Sequence, residues 1–224
     1  MGRYDKNGIF SKEEMDKLKT SKVCIVGCGG LGGYILELLA RVGIGEITIV
    51  DGDRFDESNL NRQVLSNAEN LGEIKVAEAR KRVQQINAEV KLNPIHDFLS
   101  IDNAISIIQG SDIVVDALDS IQVRKVLQSA CEEVGIPMIH GAIAGWFGQV
   151  TTIMPGDRTL DRLYPSGHNK GVETDIGNPS FTPAYVASIE VSEALKVLIG
   201  RGEILQNKMM VIDLLDNEVH ILPI

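Results

Sequence analysis

No CxxC pair occurs in this 224-residue chain. Its three cysteines, Cys24, Cys28 and Cys131, are odd in number and widely spaced. That excludes a zinc ribbon or a dithiol redox pair and fits a reducing compartment. No apolar run approaches the ~18 residues of a membrane span. The first twenty residues are charged throughout, with no apolar signal core. A cytoplasmic chain with no membrane partner is therefore expected. Basic residues are outnumbered: 22 Lys and Arg against 31 Asp and Glu leave a net charge of −9. This balance argues against nucleic acid as a main partner, though not against a local basic pocket for a small phosphate ligand. With 44% apolar and 24% charged residues, wholesale disorder is excluded. At ~100–200 residues per domain the chain suits one domain over 1–224, with a full core that needs no disulfide.

The apolar pattern alternates between strand and helix. Ser11 and Glu14 form a capping-box signature, which predicts a short helix to about Thr20 and hence a helical arm over 1–20. Strands are expected at Lys22–Gly27, Glu46–Val50, Ala88–Pro94, Asp112–Ala117 and Pro137–His140. Helices are expected at Leu31–Val42, Gly72–Asn87, Ile101–Gln109 and Ser120–Val134. Repeated β-α units predict an α/β fold, a doubly wound Rossmann-like, mostly parallel sheet. Beyond Gly141 the rhythm changes. Trp146–Met154 reads as a strand without a crossover helix. Residues 155–183 lack period and read as a mobile crossover loop, since structureless segments of that length are functional or mobile. Ala184–Ile199 reads as a helix ended by Gly200. Met209–Leu214 and Glu218–Leu222, around Asp216-Asn217, read as an antiparallel C-terminal hairpin.

Three constellations carry chemistry. Gly27-Cys-Gly29-Gly30-Leu-Gly32 lies between a strand and a helix, the context in which GxGxxG brings backbone N–H groups to a phosphate. Asp51 ends the next strand, nineteen residues after Gly32, suitably placed for ribose hydroxyls. The loop alone does not distinguish NAD, FAD and ATP. The following segment, Asp51-Gly-Asp53 through Asn59, Arg62 and Gln63, offers more polar groups than a dinucleotide needs. Lys75 stands near a helix N-terminus, where a cation opposes the macrodipole unless an anion is close. Arg62 and Lys75 together read as a polyphosphate clamp; the alternative is two solvated surface cations. Finally, Asp116 ends an apolar strand and Asp119 follows in the loop. Asp119 suits Mg²⁺ held against phosphates, or a cap on the Ser120 helix; Asp116 reads as structural, bonded to nearby backbone N–H groups. The cysteines read as packing residues, although the place of Cys28 near a helix N-terminus favours a lowered thiol pKa. Arg41, Trp146 and Phe147 read as structural. His140, His168 and His220 are isolated in the sequence, so spacing yields no triad.

GCGGLG, the DGDRFDESNLNRQ segment, Gly72-x-x-Lys75 and the VVDALDS strand end together resemble the ubiquitin-activating-like superfamily. The nearest branch is the ThiF/MoeB/HesA adenylyltransferases, and the resemblance covers nearly the whole chain, including Arg3-Tyr4-Asp5-Lys6, Gly141-Ala142 and Gly148-Gln149. It implies adenylation, by MgATP, of the C-terminal Gly-Gly of a small ubiquitin-like sulfur carrier, with release of pyrophosphate. On that pattern Gly30, Asp51, Asn59, Arg62, Gln63, Lys75 and Asp119 contact ATP or its magnesium, with Gly27, Gly29, Gly32 and Asp53 completing the cofactor-binding set. A homodimer is implied, in which a basic residue of the opening motif, Lys6 here in place of arginine, reaches the partner's ATP site. Members of this size usually carry CxxC before a Leu-Tyr-Pro stretch and again near the C-terminus. Here the first stretch is Thr159-Leu-Asp-Arg162-Leu-Tyr-Pro165, so no thiolate zinc site is expected. Ser120 stands where Asn is usual. Alternatives are a same-fold enzyme activating another group, such as a carboxyl or carbamoyl of a modified tRNA, a non-catalytic nucleotide-binding subunit, or an NAD-dependent oxidoreductase.

Overall fold

The computed structural model describes residues 2–165 and 176–224. Its strands are β1 Lys22–Val26, β2 Glu46–Val50, β3 Lys91–Ile95, β4 Ile113–Asp116, β5 Met138–Ala144, β6 Phe147–Ile153, β7 Lys208–Asp213 and β8 Glu218–Pro223. Its α-helices, among the described residues, are α1 Lys12–Thr20, α2 Gly30–Val42, α3 Lys75–Ile86, α4 Ala104–Ile108, α5 Ile121–Val134, α6 Thr159–Leu163 and α7 Phe181–Ile199. One sheet runs β3-β2-β1-β4-β5-β6-β7-β8. It is parallel from β3 to β5 and antiparallel from β5 to β8. This is the doubly wound sheet with antiparallel C-terminal strands that the alternation implies.

Strand alternation sorts the core onto two faces. Val23 and Ile25 join the cluster with Leu36, Leu39, Val83 and Val191, beneath α2, α3 and α7. Cys24 and Val26 join Ile108, Leu127 and Cys131, beneath α4 and α5. The helices after β1 and β4 thus lie on opposite faces, and the ends of those two adjacent strands open a crevice, where ligands bind open α/β sheets. Pro94, which cannot donate to a ladder, is tolerated because β3 is an edge strand.

Several boundaries differ from the sequence reading. α3 starts at Lys75 rather than Gly72 because the chain before it pairs like a strand. Phe55 N donates to Glu73 O, and Lys75 N to Asp53 O. β5 runs on to Ala144 and turns through Gly145-Trp146 directly into β6. Residues 155–183 are not without structure: α6 lies inside the segment and α7 opens at Phe181. Leu160 in α6 is fully buried, and its N–H donates to Gln128 Oε1 of α5 at 2.7 Å. Pro183 sits in the first turn of α7, where its missing N–H costs nothing. Residues 166–175 of the expected loop, with His168, lie outside the described residues.

Candidate functional site

At the β1/β4 crevice the chain makes two turns that almost touch. Gly27, at φ 105°, approaches Ala117 so closely that a Cβ would lie 2.4 Å from its carbonyl oxygen. A Cβ on Gly32 would lie 1.9 Å from Gly27 O, so α2 can pack on the strand end only with glycine there. These contacts present Gly29 and Gly30, at the N-terminus of α2, to a cavity of about 610 Å³, an ordinary size for a small-molecule site. Asp51, Asp53, Arg62, Gln63, Lys75, Asp119 and Arg124 also line it.

Asp51 holds the glycine loop to the end of β2. Its Oδ2 accepts from Cys28 N at 2.7 Å and its Oδ1 from Asp53 N at 2.8 Å. Each oxygen keeps a second lone pair for a ligand. Lys75 is nearly buried at the head of α3, and its Nζ meets Asp53 Oδ2 at 3.0 Å. Asp53 is therefore the anion that a cation at this helix N-terminus calls for. Arg62 folds over its own turn, donating to Ser58 O and Asn61 Oδ1. Gln63 is buried against the glycine loop with its Oε1 unpartnered among the described residues, an acceptor open to an external donor. Ser120 Oγ, not Asp119, accepts from Val123 N to cap α5. Asp119 is left exposed on the cavity wall, and no hydrogen bond or ion pair engages it among the described residues.

Three expected site residues lie off the cavity lining. Gly32 is buried behind the loop. Asn59 is buried in the 3₁₀ turn Glu57–Asn59, its side chain bonded to Asp56 N and Ser58 Oγ; its carbonyl receives the N–H groups of Arg62 and Gln63, so it shapes their segment. Lys6 is exposed on an arm at the C-terminal ends of α2 and α3, where Asn7 donates to Val42 O and Asn87 to Tyr4 Oη. That is the opposite edge of the sheet from the crevice.

The lowered pKa expected for Cys28 is not found. The residue is fully buried, and desolvation, then the Asp51 charge, push its thiol up. Burial likewise pushes Cys24 up to about 12.

Sequence spacing missed Arg124 and a buried polar group under the crevice. Arg124 Nε donates to Leu118 O at 3.0 Å and lies 3.7 Å from Asp116 Oδ2. A cation in the first turn of α5 opposes the macrodipole, the same signal that singles out Lys75. His140 is not isolated: its Nδ1 lies 2.7 Å from Asp116 Oδ2. Asp116 Oδ1 accepts from Leu118 N, the backbone bonding expected of it. Burial holds His140 below its usual pKa, against the opposing pull of Asp116.

Glu190 of α7 is also fully buried, and both its carboxyl oxygens lack partners among the described residues. It occupies the space left by the missing side chain of Gly141. Burial, then the Asp116 charge, raise its pKa well above the carboxylate range. Below the unfolded value, ~4.5, both states hold the proton. Above it the unfolded chain releases a proton that the folded chain keeps, so stability falls as pH rises through the folded value. Glu190→Gln has no proton to lose and is expected to raise the thermal midpoint more at pH 8 than at pH 5. Each kcal/mol relieved corresponds to roughly 2–4 °C for a chain of this size. Unfolding curves at both pH values test this; an equal change at the two would reject a neutral buried carboxyl.

A doubly wound sheet with a glycine loop, three cationic side chains and exposed carboxylates at its switch point defines a Rossmann-like nucleotide enzyme. The ThiF family model matches residues 4–224, and the chain belongs to that family. It is 34% identical to the SAMP-activating enzyme E1 of Haloferax volcanii, over 100% of this chain and 85% of that protein. It is 34% identical to the sulfur carrier protein adenylyltransferase of Thermus thermophilus, over 96% of this chain and 84% of that protein. The crystal structure of Escherichia coli MccB matches its fold with a TM-score of 0.84 at 21% identity, over 99% of this chain and 69% of that one. The chain is an adenylyltransferase, and the family implies the use of ATP. Among the described residues, no helix is long and apolar enough to cross a membrane.

Proposed function

We propose that this chain adenylates the C-terminal Gly-Gly carboxylate of a small ubiquitin-like sulfur carrier, forming carrier acyl-AMP and pyrophosphate. The observation that carries the reading is the convergence of Gly29, Gly30, Arg62, Gln63, Lys75 and Asp119 on one cavity. The relatives named for sulfur-carrier and SAMP activation, at 34% identity, support the substrate class. The carrier carboxylate attacks the α-phosphorus of ATP; the bond from that phosphorus to the β-bridging oxygen breaks, and the electron pair leaves with pyrophosphate. The nucleophile is already ionised, so the chain's task is positioning and charge stabilisation. The amides of Gly29 and Gly30 and the side chains of Arg62 and Lys75 bind phosphate oxygens. Asp51 takes the ribose, and Gln63 completes its hydrogen bonding on the nucleotide.

Asp119 fits a role as protein ligand to Mg²⁺, which is commonly held by one or two carboxylates with waters and phosphates. The ion, when bound, supplies positive charge against the phosphate oxygens. The chain is further read as one adenylation unit over 1–224 that works in the cytoplasm as a homodimer, with 155–183 receiving the carrier tail. Carrier-dependent exchange of labelled pyrophosphate into ATP tests the reading, with acyl-AMP detected by mass. No exchange with any Gly-Gly carrier would reject it.

Thr159 and Arg162 stand where the resemblance places zinc-binding cysteines. Arg162 donates instead to Ile224 O at 3.2 Å, a metal-free tie between α6 and the end of β8. Purified protein is therefore expected to hold no stoichiometric zinc and to resist unfolding by chelators. Adenylation should survive replacement of Cys24, Cys28 and Cys131 together, since all three are buried free thiols. One tightly held zinc per chain, or a cysteine-linked carrier adduct, would overturn this.

A further inference from the structure

The Asp116–His140 contact belongs to a longer, partly buried chain with one internal direction. Register pairs the two residues across β4 and β5, and both are fully buried. Gln149 Nε2 donates to Tyr164 Oη at 2.6 Å. Tyr164 Oη lies 3.3 Å from His140 Nε2, with the two rings edge to face. His140 Nδ1 meets Asp116 Oδ2, and Asp116 Oδ1 receives Leu118 N at 3.0 Å.

A carboxylate only accepts, so the 2.7 Å contact requires the proton on Nδ1. The other ring nitrogen is then an acceptor for the Tyr164 hydroxyl, whose oxygen is occupied by the Gln149 amide. In that arrangement the contacts at both ring nitrogens each pair a donor with an acceptor. With the proton on Nε2, two lone pairs would face each other at Asp116. At its far end the chain holds the backbone of one residue on both sides: Asp116 takes the N–H of Leu118 while Arg124 donates to its C=O. The next residue is Asp119.

We propose that His140 is a positioning residue for the reaction, fixing Asp116 and through it the Leu118 turn that aims Asp119 into the cavity. This rests on the reading of Asp119 as the magnesium ligand. Groups that orient a ligand through hydrogen bonds typically change metal affinity by ~10–100-fold when removed. His140→Leu keeps the volume and removes the bond to Asp116. His140→Asn keeps an amide donor near the Nδ1 position.

In the full-length protein, His140→Leu is expected to raise the Mg²⁺ needed for half-maximal pyrophosphate exchange on the order of tenfold. It should also weaken hydrogen-exchange protection of the Leu118 amide. His140→Asn should restore both towards wild type, an outcome that a merely volume-filling histidine would not give. The ¹⁵N shifts of the wild-type imidazole, which need no variant to fold, should report a neutral ring protonated at Nδ1. A ring protonated at Nε2 would overturn the proposal. So would a folded His140→Leu protein with unchanged Leu118 protection and Mg²⁺ dependence. If wild type shows no exchange with any carrier, the functional reading fails by itself; the tautomer and the Leu118 amide then still decide whether His140 holds the turn.

Discussion

Asp119→Ala and Lys75→Ala should each lower carrier-dependent pyrophosphate exchange by ~10²–10³, the usual cost of removing one charge-stabilising group from a dry, preorganised site. The two losses should differ in kind. Asp119 is exposed and makes no bond within the described chain, so its removal leaves the fold intact. The defect should sit in kcat and in Mg²⁺ dependence. Lys75 is nearly buried and paired with Asp53. Its loss leaves Asp53 exposed and unpaired on the cavity wall, facing incoming phosphates, so KM for ATP should rise as well. Steady-state exchange at varied ATP and Mg²⁺ separates the two patterns. Full exchange by Asp119→Ala with the right carrier would remove the metal assignment and leave Asp119 a bystander.

The parts of the site legible in the sequence are those with a local physical cause. Gly27 and Gly32 stand where no Cβ fits, and such positions announce themselves as glycines. Lys75 was legible because a cation at a helix N-terminus needs an anion; the anion proved to be Asp53 of the same chain. Asp119 was ambiguous between cap and ligand until Ser120 was seen to hold the cap. Asn59 carries the right residue type, but its local turn consumes the side chain. His140 was opaque for another reason. Its partners lie 24 residues away on either side, and only strand register and the return of the chain at Tyr164 bring them together. The same holds for α6, whose Leu160 N–H is satisfied by Gln128, a partner that no local pattern reveals.

Lys6 gives the sharpest expectation, because its own chain puts it in the wrong place for chemistry. It is exposed on an arm fastened to the C-terminal ends of α2 and α3, and a helix the length of α2 spans ~20 Å. Within one chain, Lys6 therefore lies across the sheet from the cavity. If it serves the reaction, it does so in a partner. In a symmetric homodimer each site would then combine Asp119 of one protomer with Lys6 of the other. Lys6→Ala and Asp119→Ala proteins should each be deficient, and their mixture should recover activity. With random exchange, half the dimers are mixed and each holds one intact site of two, so about a quarter of wild-type activity should return. Lys6→Arg should preserve or raise activity, since a guanidinium adds a bidentate fork to the same charge. Mass spectrometry of the mixture must show that mixed dimers have formed. If they have and nothing is recovered, Lys6 has no part in a shared site. If Lys6→Ala alone is fully active, the arm's charge is surface solvation, and the opening motif matters only for how the arm packs.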